Sequence, residues 1–275
     1  MKANIPKLIG QIVNMVGYIS PNSAARLSIF LFSRPRKGKL KSVANSILDG
    51  SDTKKLKYEL DDIMTYRWQG SNQRILLAHG WESNSTRWDN LIDHLRKLNH
   101  DVIALDAPAH GMSGGKSFNA ILYAKYIEVT IKEFQPDVII GHSVGGMASV
   151  FSKYMIQESS LTKMVLLGAP DKFTDVLQRY VDMMGYNSRV HNQINQYVLS
   201  RYGKKPDYFS TASFSEKLPV HTLIIHDEKD AIIPFQDAEM IKAAATNSQL
   251  IKTKGLGHGL KADYVYQHIS EFINS

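Results

Sequence analysis

Short apolar runs rich in β-branched residues recur along this chain, each ended by a glycine, a proline or a polar turn. Runs of roughly four to eight such residues read as strands buried on both faces. They begin at Arg74, Asp101, Asp137, Lys163, Val220 and Gln249. Segments of helical periodicity lie between them. Across 86–98 the apolar positions Trp88, Leu91, Ile92, Leu95 and Leu98 fall on one helical face. Further helices are predicted over 117–134, which Pro136 ends, and over 147–154, 236–245 and 260–273. This alternation predicts a mostly parallel sheet covered on both faces. Upstream, Ile63, Thr65 and Arg67 alternate with Met64, Tyr66 and Trp68, which suggests a strand pair or a single edge strand. Residues 171–217 break the rhythm, with aromatic and polar residues, helical patches and no strand. In open α/β sheets ligands bind at the ends of the strands, so this insertion reads as a helical cap over the site.

The first 42 residues form an extension of their own. Residues 5–19 are apolar but interrupted by Lys7, Gln11 and Asn14. They are too short and too broken to span a bilayer, and no small-residue cleavage site follows them. A second apolar run, Ala24 to Phe32, follows the helix-start signal Ser20-Pro21-Asn22-Ser23. Two readings stand: a pair of amphipathic helices packed on the domain, or a peripheral membrane contact with basic residues facing lipid headgroups. The division expected is therefore an extension at 1–42, a core at 43–170 and 218–275, and a cap at 171–217.

Charge and composition narrow the field. The chain has 275 residues, enough for one large core with an insertion, and a net charge of +7. Part of that charge sits in Arg34-Pro35-Arg36-Lys37-Gly38-Lys39-Leu40-Lys41 and in Lys54-Lys55-Leu56-Lys57. These read as solvated surface, with attraction to an anionic membrane or nucleic acid as the alternative. No nucleic-acid motif accompanies them, so no nucleic-acid partner is expected. The absence of cysteine excludes disulfides, thiol nucleophiles and thiolate metal sites. No cofactor or metal is expected, and the location expected is cytoplasmic.

The chemistry centres on Asp137-Val138-Ile139-Ile140-Gly141-His142-Ser143-Val144-Gly145-Gly146. An apolar strand breaks at a G-x-S-x-G pattern, and a helix follows, which is the setting of a nucleophile elbow. The serine must take a strained conformation to stand clear of the sheet, and Gly141 and Gly145 allow strand and helix to approach closely. A hydroxyl needs a base, and the base needs a carboxylate to fix its tautomer. Of the ten histidines, His258 lies in a glycine-rich loop after the last strand and is the candidate base. His79 and His142 are assigned to loop shaping. The acid follows the strand ending at Asp227: Asp230, before an apolar turn and Pro234, is the candidate, and Asp227 the alternative. Backbone N–H groups of Val144 and Trp81 are the candidate oxyanion donors. Glu82, beside Trp81, would oppose an oxyanion unless it points away or is neutralised.

These residues, with His79-Gly80-Trp81, Asp106-Ala107-Pro108-Ala109-His110-Gly111-Met112-Ser113 and Gly257-His258, resemble the α/β-hydrolase superfamily, in the serine-nucleophile, esterase- and lipase-like branch. The resemblance covers nearly all of 58–275 and follows the superfamily's order of nucleophile, acid and histidine. It implies an eight-stranded, mostly parallel sheet with helices on both faces and a cap after the sixth strand. It also implies Ser143, Asp230 and His258 as nucleophile, acid and base. Three departures matter. The oxyanion loop lacks a multi-glycine run. Ala109 stands where the Asp-x-Pro-Gly-His-Gly loop usually has glycine. The nucleophile is serine, which argues against the dehalogenase and epoxide hydrolase branches. The activity expected is cofactor-free cleavage of a small or medium acyl substrate, most simply a carboxylic ester. Alternatives are a thioester, a C–C bond next to a carbonyl, or a non-catalytic binding protein of this fold.

Overall fold

β1 (Asp52–Tyr58) and β2 (Asp61–Trp68) form an antiparallel hairpin whose turn is made by Glu59, at φ 52°, and Leu60. The sequence pattern begins this region at Tyr58, yet Lys54, Lys55 and Lys57 lie within β1. Only Leu56 of that strand is buried, so an edge strand carrying lysines leaves no alternation to read. β3 (Arg74–Ala78), β4 (Asp101–Leu105), β5 (Val138–His142), β6 (Lys163–Leu167), β7 (His221–Asp227) and β8 (Ser248–Thr253) complete a single sheet. Its order is β1-β2-β4-β3-β5-β6-β7-β8. β2 runs antiparallel to β4, and every pairing from β4 to β8 is parallel. The computed structural model that shows this describes residues 5–156 and 159–275.

Both faces of the sheet are apolar, as the uninterrupted runs require. Ile75, Leu77, Val102, Ala104, Val138, Ile140, Val165, Leu223 and Ile225 join one buried cluster with Leu91, Ile92 and Leu95 of α3 (Asp89–Lys97) and Val265, Ile269 and Ile273 of α10 (Asp263–Asn274). Their strand neighbours Leu76, Ile103, Ile139, Leu166 and Ile224 are equally buried on the opposite face. There the sheet meets α5 (Val144–Met155), which packs on α4 (Ala120–Phe134). α4 starts at the Asn119 side-chain cap and ends at Gln135, φ 49°, before Pro136. Register pairs Ala78 with Gly141, His142 with Leu167, and Leu167 with Ile225. The C-terminal ends of β3, β5, β6 and β7 therefore lie side by side.

The chain divides into two units, 35–171 with 211–275 and 1–34 with 172–210. The first holds the whole sheet, together with α8 (Thr211–Ser215) and α9 (Phe235–Ala244). The second is helical: α1 (Ile5–Ile19), α2 (Pro21–Phe32), α6 (Phe173–Met184) and α7 (Ser188–Tyr202). Val13, Ala24, Ala25, Leu177, Val181, Met184, Val190 and Ile194 form its core. Asn14 ties α1 to the turn between α6 and α7, donating to Gly185 O at 2.9 Å and accepting from Asn187 N at 2.9 Å. The extension and the insertion, separate segments in the sequence reading, thus share one core, with bounds at 34, 172 and 210. Residues 1–4 of the extension lie outside the described residues. The two stems of the insertion are pinned together on the sheet-bearing unit. Asp171 accepts from Ala212 N through its side chain and from Thr211 N through its carbonyl, at 2.8 and 2.9 Å.

Candidate active site

The elbow has the strain that its sequence implies. Ser143 sits between β5 and α5 at φ 54° and ψ −128°. A side-chain-bearing residue at positive φ costs on the order of 1–3 kcal/mol and persists only where its surroundings enforce it. The enforcement is visible. Ser143 N donates to Leu167 O at 2.8 Å. A Cβ at Gly145 would stand 2.2 Å from Ala78 O, and one at Gly141 would stand 2.5 Å from Gly146 Cα. Helix, elbow and the end of β3 are in backbone contact, so larger residues would push the serine off its perch.

His258 and Asp230 meet at the neighbouring strand ends. His258 Nδ1 donates to Asp230 Oδ2 at 2.7 Å. The Asp230 side chain is fully buried, while that of His258 keeps 21% of its exposure. Burial alone would raise the Asp230 pKa. Hydrogen bonds from His226, His258 and the amides of Ile233 and Ile232 outweigh it and hold the carboxyl well below the usual carboxylate range. A carboxylate that stays ionised fixes the proton on His258 Nδ1 and leaves Nε2 as the acceptor. A Cβ placed on Gly168, just past β6, would lie 3.4 Å from His258 Nδ1. Ser143 is tethered to the residue before that glycine. His142 adds a second link: its Nε2 donates to His258 O at 2.7 Å, and the two rings lie 4.8 Å apart.

The two proposed donors flank the same serine. Val144 is the first residue of α5, where helix N–H groups have no acceptor in the turn before them. Trp81 follows Gly80, at which a Cβ would meet Ser143 Cβ at 3.0 Å. Among the described residues neither backbone N–H has an acceptor. Glu82 is neutralised: its Oε1 accepts from Arg36 N at 2.9 Å and from Arg36 Nε at 3.1 Å. Ser143, His258, Asp230 and the two amides are thus drawn to one place, the C-terminal edge of the sheet around β5.

Comparison with known proteins gives the family. A model described as the alpha/beta hydrolase family matches residues 75–268. The chain belongs to the alpha/beta hydrolase family. Among its relatives is a bifunctional esterase/perhydrolase of Acinetobacter calcoaceticus, 26% identical over 73% of this chain and 91% of its own. Solved structures of similar fold include a thioesterase domain from the curacin biosynthetic pathway, with TM-score 0.60, 16% identity and coverage of 82% and 99% of the two chains. A meta-cleavage product hydrolase superposes with TM-score 0.61, 19% identity and coverage of 80% and 97%.

In this alpha/beta hydrolase the remaining motif residues build the frame. Asp106 accepts from Tyr66 Oη, Ser85 N, Ser85 Oγ and Met112 N at 2.8–2.9 Å. His79 donates from Nδ1 to Gly80 O and accepts at Nε2 from Ala107 N. His110 donates to Pro108 O and accepts from Glu82 N. Ala109 takes φ 63°, a left-handed conformation that explains why glycine is usual there. Asp227, the alternative acid, accepts from Thr253 Oγ1, Leu256 N and Lys229 N, and so anchors the loop that carries His258. His226, which sequence reasoning passed over, and His142, which it assigned to loop shaping, both touch the candidate site. His226 Nε2 donates to Ile233 O and lies 3.5 Å from Asp230 Oδ2. Its only sequence trace is the four-residue spacing to Asp230. The link from His142 to the His258 carbonyl joins residues 116 apart and leaves no local signal. Among the described residues no group of three or more His, Asp or Glu is arranged to hold a metal ion.

Proposed function

We propose that the chain is a serine hydrolase that cleaves an acyl bond, a carboxylic ester of a small or medium acyl group, through Ser143, His258 and Asp230. The observation that carries this reading is the 2.7 Å bond between His258 Nδ1 and a buried Asp230, beside a serine held at φ 54°. Ser143 Oγ attacks the carbonyl carbon as His258 Nε2 takes its proton. The oxyanion accepts from the Trp81 and Val144 amides, donors worth on the order of 10²–10³ in rate each. The imidazolium then protonates the departing alcohol, leaving an acyl-enzyme. Water, deprotonated by the same nitrogen, releases the acid and restores the serine. Asp230 keeps the imidazole in one tautomer and stabilises its cation.

A second reading follows from the relative named an esterase/perhydrolase. Hydrogen peroxide in place of water would release a peracid from the same acyl-enzyme. Thioesters, and C–C bonds next to a carbonyl, are further substrates for one apparatus. A fluorophosphonate probe tests the core of the proposal. Labelling of the wild type and none of Ser143→Ala is expected; no labelling of the wild type would leave a binding protein instead. p-Nitrophenyl ester and thioester panels of rising chain length, with and without peroxide, then rank the acyl acceptors and donors.

A further inference from the structure

α1 carries more apolar surface than its packing uses. Ile9, Val13 and Val16, with Gly10 and Gly17, face the core of the helical unit. Ile5, Leu8, Ile12, Met15 and Ile19 form a second stripe at alternating three- and four-residue steps, and each is between 53% and 89% exposed. At about 100° per residue the two stripes lie roughly 120° apart around the helix. An aligned exposed apolar stripe marks a contact surface, where scattered apolar residues would not.

Charge says what the contact is. No Asp or Glu precedes Asp49. Residues 1–34 and 172–210 carry ten Lys and Arg against three Asp, and the rest of the chain carries 23 of each sign. The whole net charge of +7 therefore belongs to the helical unit. Two of its exposed aromatics lie beside cations, Arg189 5.2 Å from the Tyr18 ring and Arg34 3.9 Å from the Phe30 ring. Aromatic rings beside long basic side chains suit the headgroup level of a bilayer. A second copy of the chain on this face would bring two strongly positive units together, which like-charge repulsion opposes. No described helix is long and apolar enough to cross a membrane. We propose that α1 docks the protein on an anionic phospholipid surface, its outer stripe entering the acyl boundary and the unit's cations meeting the phosphates.

Flotation of the full chain with vesicles tests this, independently of the hydrolase reading. Wild type is expected to float with phosphatidylcholine vesicles holding about 30% phosphatidylglycerol, and at least about tenfold less with phosphatidylcholine alone. Salt at about 0.5 M should release most of it. The triple variant L8Q/I12Q/M15Q, checked for an unchanged melting temperature, should lose about tenfold of the bound fraction. Wild type that stays unbound with anionic vesicles at low salt overturns the proposal. So does a wild-type dimer, by light scattering, that the triple variant splits, because the stripe would then be a self-contact.

Discussion

Two acid–histidine clusters sit at strand ends of the same unit, and they are built differently. At the end of β4, all four hydrogen-bonding positions of Asp106 are filled by protein donors, and both nitrogens of His79 and of His110 are engaged. After β7, two amides fill one oxygen of Asp230, and His258 through Nδ1 and His226 through Nε2 share the other, at 2.7 and 3.5 Å. His258 Nε2 has no partner among the described residues. The same residue types therefore make a rivet in one place and the proposed acid–base pair in the other. Satisfaction, more than composition, separates them: a group whose bonds are all spent has nothing left to offer a substrate.

Swapping one carboxylate oxygen for an amide in each cluster should produce opposite phenotypes. Asp230→Asn is expected to lower kcat by roughly 10³–10⁴, because the amide no longer enforces the reactive tautomer of His258. Its melting temperature should move little. Asp106→Asn should lose roughly 2–4 kcal/mol of stability, since an amide nitrogen there faces donors instead of acceptors. The folded fraction of that variant should keep kcat within about fivefold of wild type. Ester hydrolysis and thermal melts on both proteins decide it. Equal losses of activity in both would erase the distinction between the clusters.

The sequence made the elbow legible because its parts are local. An apolar run, two glycines and a helix lie within 18 residues, and each constrains the next. Asp230 and Asp227 stayed open because both follow β7 closely, and pattern cannot say where a side chain points. Only the paired ends of β7 and β8 show Asp227 spent on Thr253 and Leu256. β1 was illegible for a different reason: one buried residue in seven gives no period. The joint core of α1 with α6 and α7 rests on contacts such as Asn14 to Gly185, 171 residues apart, and no window along the chain contains both.

Acid should reach the β4 cluster through its imidazoles. Burial lowers the His79 pKa from 6.5 to about 4, against the opposing pull of Asp106. Burial also lowers His110, and lowers His142 well below its ordinary value. In the unfolded chain these rings bind protons near pH 6.5; in the folded chain they do so only at lower pH. The unfolded state therefore gains protons first as the pH falls. Stability is full above pH 6.5 and is lost as the pH drops from 6.5 towards 4, with His79 alone contributing roughly 3 kcal/mol. The melting temperature at pH 5 should lie at least about 5 °C below that at pH 7. A flat profile over that range would mean the rings are not held neutral, and the rivet would be looser than its hydrogen bonds indicate.

A third carboxylate falls between these two cases and sharpens the comparison most finely. Glu82 follows Trp81 directly, and its side chain keeps 18% of its exposure. Burial would raise its pKa, but hydrogen bonds from the Arg36 amide and guanidinium, with the charges of Arg36 and Lys37, outweigh burial and lower it. Its negative charge thus persists beside the proposed oxyanion donors, balanced by an arginine that is itself 79% exposed. Exposed pairs of this kind contribute at most about 1 kcal/mol and weaken with salt. Arg36→Ala should leave Glu82 unbalanced and lower kcat by about two- to fivefold at low ionic strength. The loss should shrink in salt of about 0.5 M. The double variant R36A/E82Q should recover wild-type turnover, because the charge that opposes the oxyanion is gone. A deficit in R36A that salt leaves unchanged, or that E82Q fails to rescue, would mean that Arg36 acts by holding the loop in place, and that Glu82 belongs with Asp106 as a spent group.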